Sequence, residues 1–140
     1  AHFILELVNT EGWLNFIGDR NIRSIEAAEA YIERINNNND ITYWTVYLRD
    51  TDTAVGIITL IQRDYLDHKD IGFAFLPEYS GKKYAFEATQ VVIEFLVHEP
   101  LLAVTIPDNH RSINLLNKLG FSFSHQVIQN DKPLDVYKMK

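Results

Sequence analysis

The strongest chemical signal in this sequence is a loop with one glycine and two lysines, placed between a strand pattern and a helix pattern. The strand pattern covers residues 69–76, the loop 77–83 and the helix 84–98. The first N–H groups of a helix have no partner within it, and the helix dipole favours negative charge there. Lys82 and Lys83 add two positive charges. The stretch predicts a site for a phosphate-bearing ligand, although a plain loop with two solvated lysines fits the spacing equally well.

Composition excludes several other kinds of chemistry. The chain has 140 residues, a formal net charge of -6 and no cysteine. Disulfides, thiolate zinc sites, iron–sulfur clusters and cysteine nucleophiles are therefore excluded. An acidic chain is poorly suited to bind nucleic acid, whose affinity for proteins depends on Lys and Arg at the phosphates. No apolar run approaches the roughly 18 residues of a membrane span. We expect a cytoplasmic protein with no metal, nucleic-acid or membrane partner.

The elements that must position the loop predict one α/β domain. Their order is helix, helix, three strands, helix, strand, helix and two strands, with no internal repeat. Three consecutive strands favour an antiparallel meander, and the strand–helix–strand part requires a crossover. Residues 9–19 read as an irregular connection with large apolar anchors. Ser24 is placed to cap the second helix, and Gly120 to end the last one. The predicted strands are 43–49, 54–61, 69–76, 101–106, 121–129 and 134–139.

Two blocks of the sequence carry a resemblance to a known family. The first, IGFAFLPEYSGKKYAFEA, contains Gly81, Lys82, Tyr84 and Ala85 at the spacing of a cofactor loop. The second, IPDNHRSINLLNKLGF, resembles the signature N-x-x-S/A-x-x-L/Y-x-K-x-G-F. Together with the front segment LNFIGDRNIRSIEAAEAYI, these blocks resemble the GNAT superfamily of N-acetyltransferases, in particular its RimJ/RimL-like branch. The resemblance covers most of the chain.

This resemblance implies a fold and an activity. The fold is α/β, with a mixed, mostly antiparallel central sheet flanked by helices, and with two splayed parallel strands that form a groove for acetyl-CoA. The activity is direct transfer of the acetyl group from acetyl-CoA to a primary amine, on a protein N-terminus or a small molecule. Residues 1–140 are expected to form a single domain that lacks the usual first strand of the family. A homodimer is left open.

The resemblance also implies which residues hold acetyl-CoA. The strand backbone would pair with the pantetheine arm, and the loop would hold the pyrophosphate. Asn109 would touch the cofactor arm or fix the splay. Lys83 departs from the family, which has a glycine there, and glycine is used where φ is positive or a ligand approaches the backbone closely. The full cofactor set is Phe73, Ala74, Phe75, Leu76, Gly81, Lys82, Lys83, Tyr84, Ala85, Asn109 and Ser112.

The catalytic groups are less clearly indicated. Many relatives use a tyrosine on the last helix as the acid for the leaving thiolate, and Leu116 occupies that position. Ser112, one turn earlier, is the preferred candidate to hydrogen-bond the sulfur, although it could equally cap or pack its helix. Asp70 begins the cofactor strand, where some relatives carry a catalytic glutamate, and is the candidate base. Weaker candidates are Glu78, His110 and His125 for the base, and Trp13, Phe16 and Trp44 for the walls of an acceptor pocket.

Two other functions fit the same residues. The first is a non-catalytic GNAT-like domain that binds CoA or an effector, which the departures at Lys83 and Leu116 allow. The second is a protein-interaction domain with an empty groove. Direct acetyl transfer is favoured because both motif blocks are present in the expected order. The acceptor amine is not indicated by the sequence.

Overall fold

The computed structural model describes residues 1–79, 83–96 and 99–139. In this part of the chain a six-stranded sheet is flanked by five α-helices, in the predicted order apart from one additional helix. The helices are α1 (His2–Val8), α2 (Glu11–Phe16), α3 (Ile25–Asn36), α4 (Tyr84–Phe95) and α5 (His110–Lys118). The strands are β1 (Ile41–Tyr47), β2 (Ala54–Ile61), β3 (Asp70–Phe75), β4 (Leu102–Thr105), β5 (Phe121–Gln129) and β6 (Lys132–Met139).

The additional helix is α2, and the expectation of an irregular connection over residues 9–19 was wrong there. Thr10 caps this helix, because its side chain accepts a hydrogen bond from the backbone N–H of Trp13 at 3.3 Å. Trp13 is 4% exposed and packs into the core. The cap and this burial outweigh the low helix propensity of Gly12.

Two predicted helix boundaries are confirmed by their caps. The Ser24 hydroxyl accepts a hydrogen bond from the N–H of Ala27 at 3.1 Å, and α3 begins at the next residue. Gly120 follows the end of α5 with a φ of +97°, a conformation that favours glycine. The end that the sequence predicts for α4, at residue 98, lies outside the described residues.

The strand order of the sheet is β1-β2-β3-β4-β6-β5. β3 and β4 run parallel, whereas the other neighbouring strands run antiparallel, so the mixed, mostly antiparallel sheet is confirmed. The parallel pair requires a crossover, and α4 provides it. No helix in the described part of the chain is long and apolar enough to cross a membrane.

Both faces of the sheet are covered by apolar side chains. One face packs against α1, α2 and α3, with Ile57 of β2 and Leu76 at its centre. The other packs against α4 and α5, with Ile58, Ile71 and Leu116 at its centre. A smaller cluster joins Leu66, in the loop before β3, to Leu102 and Val136. The two parallel strands are therefore held from both faces.

Candidate functional site

β3 and β4 touch at one end and part at the other. Among the described residues their ladder has one residue pair, Asp70 opposite Leu102. The N–H of Leu102 donates to the carbonyl oxygen of Lys69 at 3.0 Å at this closed end. Beyond it the strands run on to Phe75 and Thr105 without a further ladder pair. The pair therefore opens towards its carboxyl ends, as the predicted splay requires.

The backbone of β3 presents alternate residues to the opening. The N–H of Leu76 donates to the carbonyl oxygen of Val55 at 2.9 Å, on the side of β2. Since backbone groups of a strand alternate in direction, Ala74 also faces β2, whereas Phe73 and Phe75 turn their N–H and C=O groups towards β4. Of the four residues predicted to line the groove, two have backbone groups that face the opening and two help to hold the strand in the sheet.

Two helices begin at this open end. α4 follows β3 and α5 follows β4, so both helix N-termini lie at the carboxyl ends of the parallel strands. This is the edge of an α/β sheet at which anionic ligands commonly bind. The side-chain oxygen of Asn109 accepts a hydrogen bond from the N–H of Ser112 at 3.4 Å and caps α5. Asn109 thus fixes the start of α5 beside the opening.

Lys83 precedes α4 in a conformation that favours glycine. Its φ is +67°, in the left-handed region, and its side chain makes no capping hydrogen bond. The resemblance implies a glycine at this position, and the positive φ is the conformation that favours one. The side chain is exposed, so its charge lies at the N-terminus of α4. Gly81 and Lys82, predicted to hold the pyrophosphate, lie outside the described residues.

The first turn of α4 and the middle of α5 complete the open end. Tyr84 and Ala85 are half-buried, and the rings of Tyr84 and Tyr79 lie 6.3 Å apart. Ser112 is half-buried in the first turn of α5. Leu116, one turn later, is 2% exposed and belongs to the core between the sheet and the two helices. The position at which many relatives carry the acidic tyrosine is therefore a packing position here.

A buried ion pair marks the closed end. The Nε of Arg63 lies 2.8 Å from the Oδ1 of Asp70, and their side chains are 36% and 4% exposed. Burial raises the pKa of the Asp70 carboxyl, and the positive charge of Arg63 opposes that rise. Burial lowers the pKa of Arg63, but the negative charge and the hydrogen bond of Asp70 together raise it by more. The pKa of Arg63 therefore lies above its ordinary value. Asp70 thus sits in the protein interior against a fixed guanidinium.

Arg63 was missed by sequence reasoning. It lies in the polar stretch QRDYLDH between β2 and β3, which has the composition of an ordinary loop. Its contact with Asp70 spans seven residues and depends on how that loop folds back over the sheet. Arginine is almost never buried without a partner, but the sequence does not show which arginine will be buried. The same loop supplies Tyr65, whose pKa is raised by burial.

The remaining candidates do not converge on the opening. Trp13 packs against α1 and α3, whereas Trp44 packs on the opposite face of the sheet, so they cannot line one pocket. Phe16 is 38% exposed on α2. The weaker base candidates, Glu78, His110 and His125, are exposed. In residues 1–79, 83–96 and 99–139 no three His, Asp or Glu side chains are grouped to hold a metal ion.

Comparison with known proteins shows which family has these features. Residues 2–122 match the family described as the acetyltransferase (GNAT) domain. The chain is 30% identical over 99 residues to the uncharacterized N-acetyltransferase YnaD of Bacillus subtilis, an alignment covering 68% of this chain and 58% of that protein. It is 29% identical over 75 residues to the uncharacterized protein YkkB of the same organism, covering 51% and 44%. The chain therefore spans about half the length of these relatives.

Solved structures share the fold at low sequence identity. A putative GNAT-family acetyltransferase from Bordetella pertussis superposes with a TM-score of 0.79 at 15% identity, covering 99% of this chain and 87% of that chain. A GNAT-family acetyltransferase from Bacillus anthracis gives 0.77 at 19% identity, covering 99% and 87%. A spermidine N-acetyltransferase SpeG variant from Vibrio cholerae gives 0.69 at 15% identity, covering 84% and 76%.

Proposed function

We propose that this chain, which belongs to the acetyltransferase (GNAT) domain family, transfers an acetyl group from acetyl-CoA directly to a primary amine. The observation that supports this most is the opening between β3 and β4, which has the N-termini of α4 and α5 at its mouth. Such an opening can take an extended ligand between the strands and its phosphates at the helix starts. The acceptor class is a protein N-terminus or a small-molecule amine.

The described residues fit acetyl-CoA at two points. Phe73 and Phe75 would offer backbone groups to the pantetheine arm, in the manner of an added strand. Lys83, Tyr84 and Ala85 lie at the N-terminus of α4, where the pyrophosphate would bind. When bound, acetyl-CoA supplies a thioester whose acetyl carbon bonds to the amine nitrogen as the C–S bond breaks, while the amine loses one proton and the thiolate gains one.

Ser112 is the residue that we propose to stabilise the departing thiolate. It lies in the first turn of α5, the helix that follows β4, and its backbone N–H donates to the side-chain oxygen of Asn109. Leu116 is buried and has no proton to donate. We expect Ser112→Ala to lower kcat about tenfold or more, with little change in the KM for acetyl-CoA. Ser124→Ala, at an exposed serine of β5, is the matched control, and an unchanged kcat in Ser112→Ala would remove Ser112 from the mechanism.

Asp70 is the residue that we propose as the base. Its carboxylate is 4% exposed and paired with Arg63, so it would accept the amine proton through a water molecule rather than by direct contact. Its raised pKa favours proton acceptance. Asp70→Asn preserves the shape of the side chain and removes this function. We expect the variant to lose the acidic limb of the pH–rate profile for kcat, and a limb that persists would assign the base elsewhere.

The overall activity is tested by two measurements on the same protein. Isothermal titration with CoA measures binding, and release of free thiol from acetyl-CoA in the presence of a panel of primary amines measures transfer. We expect micromolar binding and amine-dependent thiol release. CoA binding without thiol release for any amine would support the alternative, a non-catalytic domain that binds CoA or an effector. The strained backbone of Lys83 and the buried Leu116 favour this alternative. Absence of CoA binding would favour a protein-interaction domain.

Three finer proposals concern branch, location and assembly. Membership of the RimJ/RimL-like branch rests on the sequence resemblance, a cytoplasmic location is the default for a chain of this composition, and a homodimer is the assembly to be tested. An alignment of many relatives would test the branch, light scattering would test the dimer, and cell fractionation would test the location. Each proposal can fail without affecting the proposed reaction, because the groove and its helix N-termini belong to one chain.

A further inference from the structure

A polar cavity lies beside the closed end of the β3–β4 pair. It is shallow and open, with a volume of about 450 Å³. The loop after β2 and the end of β5 form its walls. Its lining is entirely polar or amphipathic and includes two amides, a phenol, a carboxylate and a guanidinium, which belong to Gln62, Arg63, Asp64, Tyr65 and Gln129. A cavity with this lining suits a small polar ligand that carries charge.

Arg63 joins this cavity to the ion pair at the closed end. Its Nε is committed to Asp70, whose side chain is 4% exposed, whereas 36% of the Arg63 side chain remains exposed. A guanidinium has five N–H donors; Asp70 takes one and the Tyr65 hydroxyl takes part in a further hydrogen bond with Arg63, so donors remain on the outer edge. This edge binds carboxylate groups through two parallel hydrogen bonds. The buried partner orients the guanidinium before any ligand arrives.

The position of the cavity relates it to the acceptor rather than to the donor. The open end of the strand pair holds the two helix N-termini, and the closed end holds Asp70 opposite Leu102. Since phosphates bind at the helix N-termini, an extended donor lying along β3 would run from there towards the closed end. Arg63 contacts Asp70, the base that we propose, so a ligand bound by Arg63 would lie near that base.

We propose that the acceptor amine carries a carboxylate and that Arg63 binds this carboxylate and thereby selects the acceptor. Asp64, at the same cavity, gives the protonated amine a counter-charge on arrival. A polyamine has no group for the guanidinium, and its second ammonium would be repelled by it. This assignment of a substrate class rests on the proposed acetyl transfer. The class differs from spermidine, the polyamine named for the acetyltransferase of similar fold.

The test compares three four-carbon amines, 4-aminobutanoate, butylamine and 1,4-diaminobutane, and one further pair, leucine and 3-methylbutylamine. Each carboxylate-bearing amine is matched to a counterpart that lacks the carboxylate. We expect at least one carboxylate-bearing amine to bind about tenfold or more tightly than its counterpart, the effect of one charge-assisted hydrogen-bond pair. Binding is measured by calorimetry in the presence of CoA, and kcat/KM by thiol release from acetyl-CoA.

Variants show whether Arg63 is responsible. Arg63→Lys keeps a positive charge near Asp70 but removes the planar pair of donors, so we expect the preference for the carboxylate-bearing amine to fall about tenfold. Arg23→Lys is the matched control, because Arg23 also pairs with an aspartate at 2.8 Å but does not line the cavity. Melting temperatures verify that both variants are folded.

The outcomes separate this inference from the proposed function. A carboxylate preference in binding that Arg63→Lys removes, without turnover of any amine, would support the acceptor site and overturn the acetyl transfer. Turnover with equal or better use of butylamine and 1,4-diaminobutane would support the acetyl transfer and overturn the role of Arg63. A carboxylate preference that Arg63→Lys leaves unchanged would also overturn it.

Discussion

The two ends of the β3–β4 pair offer different kinds of chemical groups to a ligand. At the open end most of the groups available to a ligand belong to the backbone, namely the edge of β3 at Phe73 and Phe75 and the first turns of α4 and α5, with the Lys83 and Ser112 side chains beside them. At the closed end they belong to side chains, the ion pair of Arg63 and Asp70. Backbone groups do not change with the sequence, whereas side chains do.

This difference indicates that the two ends of the strand pair suit different kinds of ligand. A donor shared by a whole family can be held by a strand edge and two helix N-termini, which many sequences can form. An acceptor that differs between family members requires side chains that differ. The closed end of this chain has such side chains, and the cavity beside it is lined by them. Variants at the two ends should therefore affect different properties.

The largest effect on stability is expected from the closed end. Asp70→Ala leaves the partly buried Arg63 without its partner, so we expect the free energy of unfolding to fall by about 3 kcal/mol. Asp19→Ala is the control, since Asp19 and Arg23 lie at the same distance, 2.8 Å, but their side chains are 51% and 54% exposed. We expect a much smaller change for this surface pair. Urea unfolding measures both, and similar losses would show that burial does not distinguish the two pairs.

The same two aspartates should respond to pH in opposite directions. Burial raises the pKa of Asp70, so the folded state holds its proton more readily than the unfolded chain does. The pH-dependent part of its contribution to stability is therefore greatest below the ordinary pKa of 3.8 and is lost as pH rises through the folded value, which leaves at neutral pH the penalty of an unpaired Arg63. Hydrogen bonds from Asn21 and Arg23 lower the pKa of Asp19, whose contribution is lost as pH falls. Unfolding curves of each variant between pH 3 and 7 would reveal both signs.

A smaller loss of stability is expected at the open end, accompanied by weaker ligand binding. Gly56 lies opposite Phe75, and a Cβ at Gly56 would be 2.5 Å from the Phe75 ring and 2.8 Å from the carbonyl oxygen of Ala74. We expect Gly56→Ala to cost about 2 kcal/mol and to weaken CoA binding, because the strand edge must shift. In the control Gly12→Ala, the added Cβ would meet no atom within 4 Å. Unaltered CoA binding in a folded Gly56→Ala protein would place the donor away from β3.

The open end was largely predictable from the sequence. A strand pattern, a loop with a glycine and a helix pattern follow one another in the chain, so local rules locate the opening and the start of α4. The helix α2 escaped prediction because a threonine cap and the burial of Trp13 outweighed the glycine within it. Which backbone groups of β3 face the opening required the register with β2, which no local pattern encodes.

The closed end was predictable only in part. Asp70 was predicted as the base from its place at the start of the strand that the resemblance assigns to the cofactor, but its partner Arg63 was not predicted, since the pair forms only when the loop folds back. The cavity likewise joins residues 62–65 to Gln129, which are far apart in the chain. Long-range contacts between polar side chains carry no periodicity, so the polar cavity is harder to find in the sequence than the opening between the strands.

The smallest effect concerns Lys83, which with Leu116 is one of the two positions at which the open end departs from the pattern of the family. Lys83 has a φ of +67°, and this left-handed conformation destabilises a residue other than glycine by about 1–2 kcal/mol. Glycine avoids this strain but loses more conformational entropy when the chain folds. We therefore expect Lys83→Gly to raise the free energy of unfolding by only about 0.5 kcal/mol. Lys83→Ala removes the same charge but keeps the strain, so the difference between the two variants isolates the backbone. If both variants bind CoA more weakly than the native chain, the lysine charge contributes to the site. If Lys83→Gly alone binds more tightly, the strained backbone limits affinity, and the open end depends on its backbone as proposed.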